Sequence, residues 1–279
     1  MKNRLLLTIF LLHFFNAVIG QTYQVMTYNI RYGNANDGEN HWSLRKDFLQ
    51  GQIAFYKPDI FGIQEGLHFQ VQYLDNSFNN YKYVGIGRDD GKEKGEYSAI
   101  FYNADKFNVL DQSTFWLSET PDKISVGWDA ALERICSYVL LEDEISKQKF
   151  WVFNTHFDHI GEQARKESAK LVFNKITALN SDNLPIILMG DFNLEPDSAP
   201  IQFLSTNLSD SFKSSLRKPF GPSGTFNGFK FNEPVTRRID YIFTSKNNIK
   251  VLQYAVLSDS KNCKYASDHL PVFIEIELN

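Results

Sequence analysis

Pro185-Ile186-Ile187-Leu188-Met189-Gly190-Asp191-Phe192-Asn193 sets an unbroken apolar run directly before a glycine, a carboxylate and an amide. A short continuous run of this kind, opened by proline, reads as a fully buried strand. Polar groups just past such a strand fall where loops gather into one rim. Taken alone, Gly190-Asp191-Phe192-Asn193 is an ordinary turn, because Asp and Asn side chains bond their own backbone there. The arrangement recurs, however: Asn29, Glu65, His156 and Asp268 also stand at or just beyond the end of an apolar run.

Working outward, residues 162–180 predict a helix whose stripe is Ala169, Leu171, Val172, Ile176 and Leu179. Extended runs at 81–87, 98–102, 107–117, 134–142 and 150–156 predict a β-meander through the middle of the chain. Before it come a strand at 23–30, a Gly/Asn/Asp loop over 31–40, a helix from Trp42, a buried strand at 59–64 and a helix over 67–78. The first of these helices is expected to bury Leu44, Phe48, Gln52 and Phe55 and to stop at Pro58. After residue 190 follow a short helix near 198–204, a Gly/Pro-rich loop over 219–228, and strands at 238–244, 249–257 and 271–278. No repeat, low-complexity tract or long linker interrupts the pattern, so one domain is expected. Helices alternating with strands at both ends of a strand-rich middle predict two sheets packed together with helices outside.

Lys2 and Arg4 precede an apolar run over residues 5–15, with Val18 and Gly20 as small residues further on. This predicts a secretory signal over 1–20, cleaved before Gln21, and a domain over 21–279. The alternative is an uncleaved anchor, but the chain turns polar at Gln21 with no cluster of positive charge to stop transfer. The expectation is export to a periplasmic or extracellular location, without stable membrane insertion, as a monomer. The chain carries 29 basic and 33 acidic side chains; loss of Lys2 and Arg4 would take the net charge from −4 to −6. That opposes nonspecific grip on long duplexes, which are held by neutralising phosphates. Cys136 lies in an apolar run and Cys263 among polar residues, so a disulfide scaffold is excluded and a single bridge is left open.

Thr27-Tyr28-Asn29, Gln64-Glu65, Asn154-Thr155-His156, Gly190-Asp191-Phe192-Asn193, Arg238-Ile239-Asp240-Tyr241 and Ser267-Asp268-His269 form an ordered set along the chain. That set resembles the endonuclease/exonuclease/phosphatase superfamily, which includes deoxyribonuclease I, and the segment from His156 to Arg165 resembles a bacterial exported group near its nocturnin-type branch. The resemblance implies a four-layer α/β sandwich of two mixed, mainly antiparallel β-sheets packed face to face with helices outside. It also implies a hydrolase of phosphodiester or phosphomonoester bonds that uses metal-assisted attack by an activated water. Its substrate would be a phosphorylated small molecule, a nucleotide, a nucleic acid or a phospholipid head group.

A phosphate ester repels anionic nucleophiles and expels a poor leaving group, so it needs a cation and a positioned base. The resemblance implies Mg²⁺, with Mn²⁺ able to substitute, held by Glu65 with Asn29 and Asp268, all oxygen donors. Asp191 would align or deprotonate the water, and Asn193 would hold a phosphate oxygen. His269 would contact the phosphate with Asp240 fixing its tautomer and favouring imidazolium, and Glu96 would do the same for His156. Each has a plainer reading: Glu65 as a cap for the next helix, Asp158 and His159 as surface residues of a helix-capping loop, Arg165 as a solvated helix residue. Against these stand substrate roles for Asp158, His159 and Arg165, the last through its fork geometry. Trp42, Trp116 and Trp128 are expected in the core more than as stacking platforms.

Zinc-protease and serine-hydrolase chemistry find no support, because no Cys pair, helical His-Glu-x-x-His or Gly-x-Ser-x-Gly occurs. The remaining alternative is a catalytically silent module that binds phosphoryl ligands on the same fold.

Overall fold

A computed structural model describes residues 21–278. The first of its two sheets contains β1 (Thr22–Asn29), β2 (Ile60–Gln64), β3 (Tyr81–Val84) and β4 (Ile100–Asn103). The second takes β5 (Phe107–Trp116), β6 (Ile135–Asp143), β7 (Lys149–His156), β8 (Ile186–Asp191), β9 (Ser209–Asp210) and β10 (Asp240–Thr244). β11 (Ile249–Val256) and β12 (Val272–Leu278) return to the first. The strand orders are β11-β12-β1-β2-β4-β3 and β5-β6-β7-β8-β10-β9. The helices are α1 (Trp42–Tyr56), α2 (His68–Ser77), α3 (Glu162–Leu179), α4 (Ala199–Asn207) and α5 (Ser211–Ser214).

Alternating side chains build the layers. On β1, Tyr23 and Val25 face the other sheet with Ile60, Val152, Ile187 and Met189, while Met26 and Tyr28 face α1 and α2 with Leu49, Ile53, Val71 and Leu74. Beyond the second sheet, α3 and α4 cover Phe153, Leu188 and Phe243 with Val172, Ile176, Ile201 and Leu204. The result is the expected four-layer α/β sandwich.

Each sheet holds one parallel pair, β1 with β2 across α1 and β7 with β8 across α3; the other pairings are antiparallel. This topology places the site. The C-terminal ends of β1, β2, β7 and β8 and the N-terminal ends of their antiparallel neighbours β10 and β12 share one edge of the sandwich.

Two local expectations are corrected. The middle strands do not form one meander: β3 and β4 belong to the first sheet and β5, β6 and β7 to the second, the chain changing layer between Asn103 and Phe107. Helix α1 buries Trp42, Arg45, Leu49, Gln52 and Ile53, leaving Leu44 and Phe55 exposed. The Arg45 guanidinium turns the helix, donating to the carbonyls of Ile30, Arg31, Asn40 and Ala266.

Cys136 is buried, Cys263 exposed, and both are free. The expected signal segment over 1–20 lies outside the described residues. Among the described residues no helix is long and apolar enough to cross a membrane.

Candidate active site

Asn29 closes β1, and its Nδ2 donates to Glu65 Oε1 and Asp191 Oδ2, both at 2.9 Å. One amide thus holds two carboxylates from different sheets side by side. Its own oxygen accepts from Arg31 N at 3.0 Å. Glu65 adopts φ 62, a left-handed conformation that costs a residue with a Cβ about 1–3 kcal/mol. The conformation directs its second oxygen to Tyr32 N at 2.8 Å, and helix α2 is capped from Leu67 instead. Beneath Glu65, Gln64 Nε2 donates to Asn154 Oδ1 at 2.6 Å and Thr27 Oγ1 at 3.0 Å. Asn154 Nδ2 donates to the carbonyls of Ile63 and Ala99, joining the sheets below the site.

Asp191 is buried, with Oδ1 accepting from Asn193 N at 2.9 Å and Oδ2 lying 3.6 Å from His156 Nε2 and 3.7 Å from His269 Nε2. Burial, then the charge of Asp240, raises it to about 7. His269 Nδ1 lies 2.8 Å from Asp240 Oδ2. Burial works against charge on this ring, but Asp240 and Asp191 outweigh it and His269 is raised to about 10. Thr225 Oγ1 accepts from Ile239 N and Asp240 N, and Asn227 Nδ2 donates to Ser267 O, so the Gly/Pro-rich loop pins both strand entrances. Asp268 faces Arg31, Oδ2 to Nη1 3.5 Å, and burial, then Glu65, raises it against the pull of His269 and Arg31.

On the opposite wall, Asn193 Nδ2 donates to Phe157 O at 3.0 Å and lies 3.1 Å from His156 Nε2. The expectation that Glu96 keeps His156 as imidazolium is corrected. Arg88 takes the Glu96 carboxylate with bonds of 2.7 and 3.1 Å, leaving Oε2 3.7 Å from His156 Nδ1, whereas Arg134 Nη1 reaches that nitrogen at 3.2 Å. Burial, with the charges of Arg134 and Arg88, drives His156 well below its ordinary 6.5, and the ring is neutral.

A cleft of about 370 Å³ joins these groups, with Glu65, Glu96, His156, Asp191, Asn193, Asp268 and His269 in its wall. Asn29 and Asp240 lie buried behind it. His159 stands at its mouth, half exposed. Asp158 is not a surface residue: it is buried, accepting from Ile160 N, Gly161 N and Arg134 Nε. Nor does Arg165 line the cleft; its Nη1 donates back to Asp158 O at 3.3 Å and it faces a separate hollow beside α4. Sequence reasoning missed Arg31, Arg88, Arg134, Thr225 and Asn227. For Arg134 a signal existed, a guanidinium opening an otherwise apolar strand.

Donor atoms of Glu65, Asp191 and His269 lie within 4.8 Å of one another. Glu65 and the buried Asp191, bridged by the Asn29 amide, offer a pair of oxygen donors that would suit a hard divalent cation. His269 holds a proton through Asp240, which leaves the carboxylates as the cation's donors.

A family described as Endonuclease/Exonuclease/phosphatase matches residues 26–269. A solved structure of an endonuclease/exonuclease/phosphatase family protein from Bacteroides thetaiotaomicron is 39% identical with TM-score 0.89, covering 93% of this chain and 99% of that one. The mannosyl-6-phosphatase of the same species is 40% identical with TM-score 0.86, over 92% and 99% of the two chains. The human nocturnin catalytic domain shares the fold at 23% identity and TM-score 0.73, over 92% and 94%.

Proposed function

The chain belongs to the endonuclease/exonuclease/phosphatase family of hydrolases, and from that premise we propose that it is an exported, metal-dependent phosphomonoesterase acting on a small phosphorylated polyol or sugar. The observation that carries this reading is the Asn29 amide holding Glu65 and Asp191 together at the floor of a small cleft. A space of about 370 Å³ suits a terminal phosphate with a small leaving group better than a duplex. The likeness to a mannosyl-6-phosphatase supports the same class.

Glu65 and Asp191 would hold Mg²⁺, or Mn²⁺ in its place, with Asp268 adding charge at the mouth; the cation supplies Lewis-acid stabilisation of the phosphoryl oxygens. Asp191 would orient the attacking water and accept its proton. His269 enters as imidazolium, its Nε2–H offered to a phosphoryl oxygen. Asn193 and the neutral His156 line the other side of the phosphate and hold its remaining oxygens. A silent binding module has no need of an acid raised and a histidine charged in contact with each other. The test is a screen of purified protein against hexose phosphates, glycerol phosphate, a dialkyl phosphodiester, RNA, DNA and sphingomyelin, with and without Mg²⁺. Fastest turnover of small monoesters is expected; turnover of diesters alone would sink the monoesterase reading.

A further inference from the structure

We propose that His159 determines leaving-group specificity, donating Nε2–H to an oxygen of a sugar or polyol phosphate, and that Arg134 is the positioning residue that fixes that hydrogen. The inference rests on the phosphomonoesterase reading above.

Arg134 stands at the entrance of β6 and is 4% exposed. Its Nε donates to Asp158 Oδ1 at 3.1 Å, its Nη1 lies 3.2 Å from His156 Nδ1 and its Nη2 lies 2.8 Å from His159 Nδ1. A guanidinium offers only donors, so His159 Nδ1 must accept, which leaves Nε2 as the nitrogen that carries the ring hydrogen. One buried arginine thereby sets the tautomer of His159, whereas His156 has a donor at each ring nitrogen, Arg134 Nη1 at Nδ1 and Asn193 Nδ2 at Nε2.

His156 Nε2 lies among Asp191 and Asn193 on the phosphate side. His159, with half of its side chain exposed, carries its N–H at the mouth, across the width of the guanidinium from His156. It therefore meets what is attached to the phosphate, not the phosphate. Its backbone is fixed as well, because Asp158 Oδ2 accepts from Ile160 N at 3.0 Å and Gly161 N at 2.7 Å. A half-exposed side chain could leave Arg134 to water at little cost; holding both backbone and tautomer makes a preset donor. Such a donor selects a leaving group that carries an oxygen acceptor near the ester, as sugars and polyols do and a phenyl group does not.

The test is kcat/KM of the full chain with Mg²⁺ on mannose 6-phosphate, glycerol phosphate and phenyl phosphate, for wild type, His159→Phe and His159→Gln. In His159→Phe the preference for the two oxygen-rich substrates over phenyl phosphate should fall about tenfold, the scale of one well-placed hydrogen bond, and His159→Gln, which keeps a donor, should recover part of it. In ¹⁵N spectra of the wild type, His159 should show a protonated Nε2 and a bare Nδ1, and Arg134→Gln should mix the tautomers. An unchanged preference in His159→Phe, or a proton on Nδ1 in the wild type, overturns the proposal and leaves the phosphomonoesterase reading standing. If the wild type turns over none of the three substrates, both fall.

Discussion

Asp240 Oδ2 stands 2.8 Å from His269 Nδ1 in a place where both side chains are all but sealed from water. Burial alone would strip the proton from the ring. The carboxylates of Asp240 and Asp191 reverse that outcome, so the fold stores a positive charge between two negative ones at the floor of the cleft. Among the described residues Asp240 Oδ1 has no hydrogen-bond partner, which leaves the charge of Asp240 directed chiefly at the histidine.

Asp240→Asn keeps the shape of this pair and removes its charge. Activity should fall by about two powers of ten or more, the range for disrupted acid–base and electrostatic groups. His269→Ala should be at least as damaging, and the double variant hardly worse than the worse single one, because the residues act as a unit. Steady-state kinetics on the four proteins checks it; multiplicative losses would show that the two act independently.

The metal-free protein should lose stability as pH rises. His269 is raised from 6.5 to about 10, so its stabilisation is full below 6.5 and fades as pH climbs through about 10. Asp191 is raised from 3.8 to about 7 and has the same sign, its contribution being lost between those values. Asp158 is lowered to about 2, because backbone donors and Arg134 outweigh its burial; its stabilisation is present above 3.8 and disappears only as pH falls through about 2. His156, held well below 6.5, opposes this below that pH, where it costs stability, so melting in EDTA should decline from neutral to alkaline pH, and Mg²⁺ should stabilise more as Asp191 ionises. A melting temperature in EDTA that is flat or rises across neutrality would count against the arrangement.

Much of the site was legible because the residues that carry it end buried strands. Asn29, Glu65, His156, Asp191 and Asp268 stand out as polar groups where an apolar run stops. Arg134 was hidden by the same logic, since an arginine opening a strand looks like a solvated boundary until Asp158 and two histidines close around it. Helix α1 misled because Leu44, Phe48 and Phe55 have helical spacing, yet the carbonyls that need Arg45 come from distant loops that periodicity does not see. Local pattern likewise predicts strands at 98–102 and 107–117 but not that the chain crosses between sheets from one to the next.

Hard-cation dependence follows from the pair of carboxylates under Asn29. EDTA should abolish turnover and Mg²⁺ or Mn²⁺ restore it, with Glu65→Gln about a hundredfold or more less active and weaker in calorimetric Mg²⁺ binding. Full activity after exhaustive chelation would remove the metal from the reading.

Export is proposed from Lys2, Arg4, the apolar run over 5–15 and the small residues Val18 and Gly20. N-terminal sequencing of protein recovered outside the cytoplasm should begin near Gln21. An uncut chain confined to the membrane fraction would refute cleavage.

The last prediction concerns the polar bridge beneath the site. Gln64 on β2 and Asn154 on β7 meet at 2.6 Å between the two sheets, and Gly62 beside them leaves room for it, since an added Cβ would come within 2.8 Å of Asn154 Cγ. Asn154→Leu takes one acceptor from the Gln64 amide and the side-chain donor from the carbonyls of Ile63 and Ala99, so unfolding free energy should drop by about 1–3 kcal/mol, the scale of buried polar groups losing partners. Gln64→Met/Asn154→Leu removes both partners and should regain part of that stability, because two apolar groups of similar shape leave fewer orphaned dipoles. Activity should not return with it. The bridge fixes the residue before Glu65, whose left-handed backbone holds the carboxylate against Asn29 and Tyr32 N, and a sealed apolar interface has no means of holding that turn. Denaturant unfolding and turnover measured on the same three proteins separate these effects. A double variant that regains stability and turnover together would show that the bridge serves only the fold.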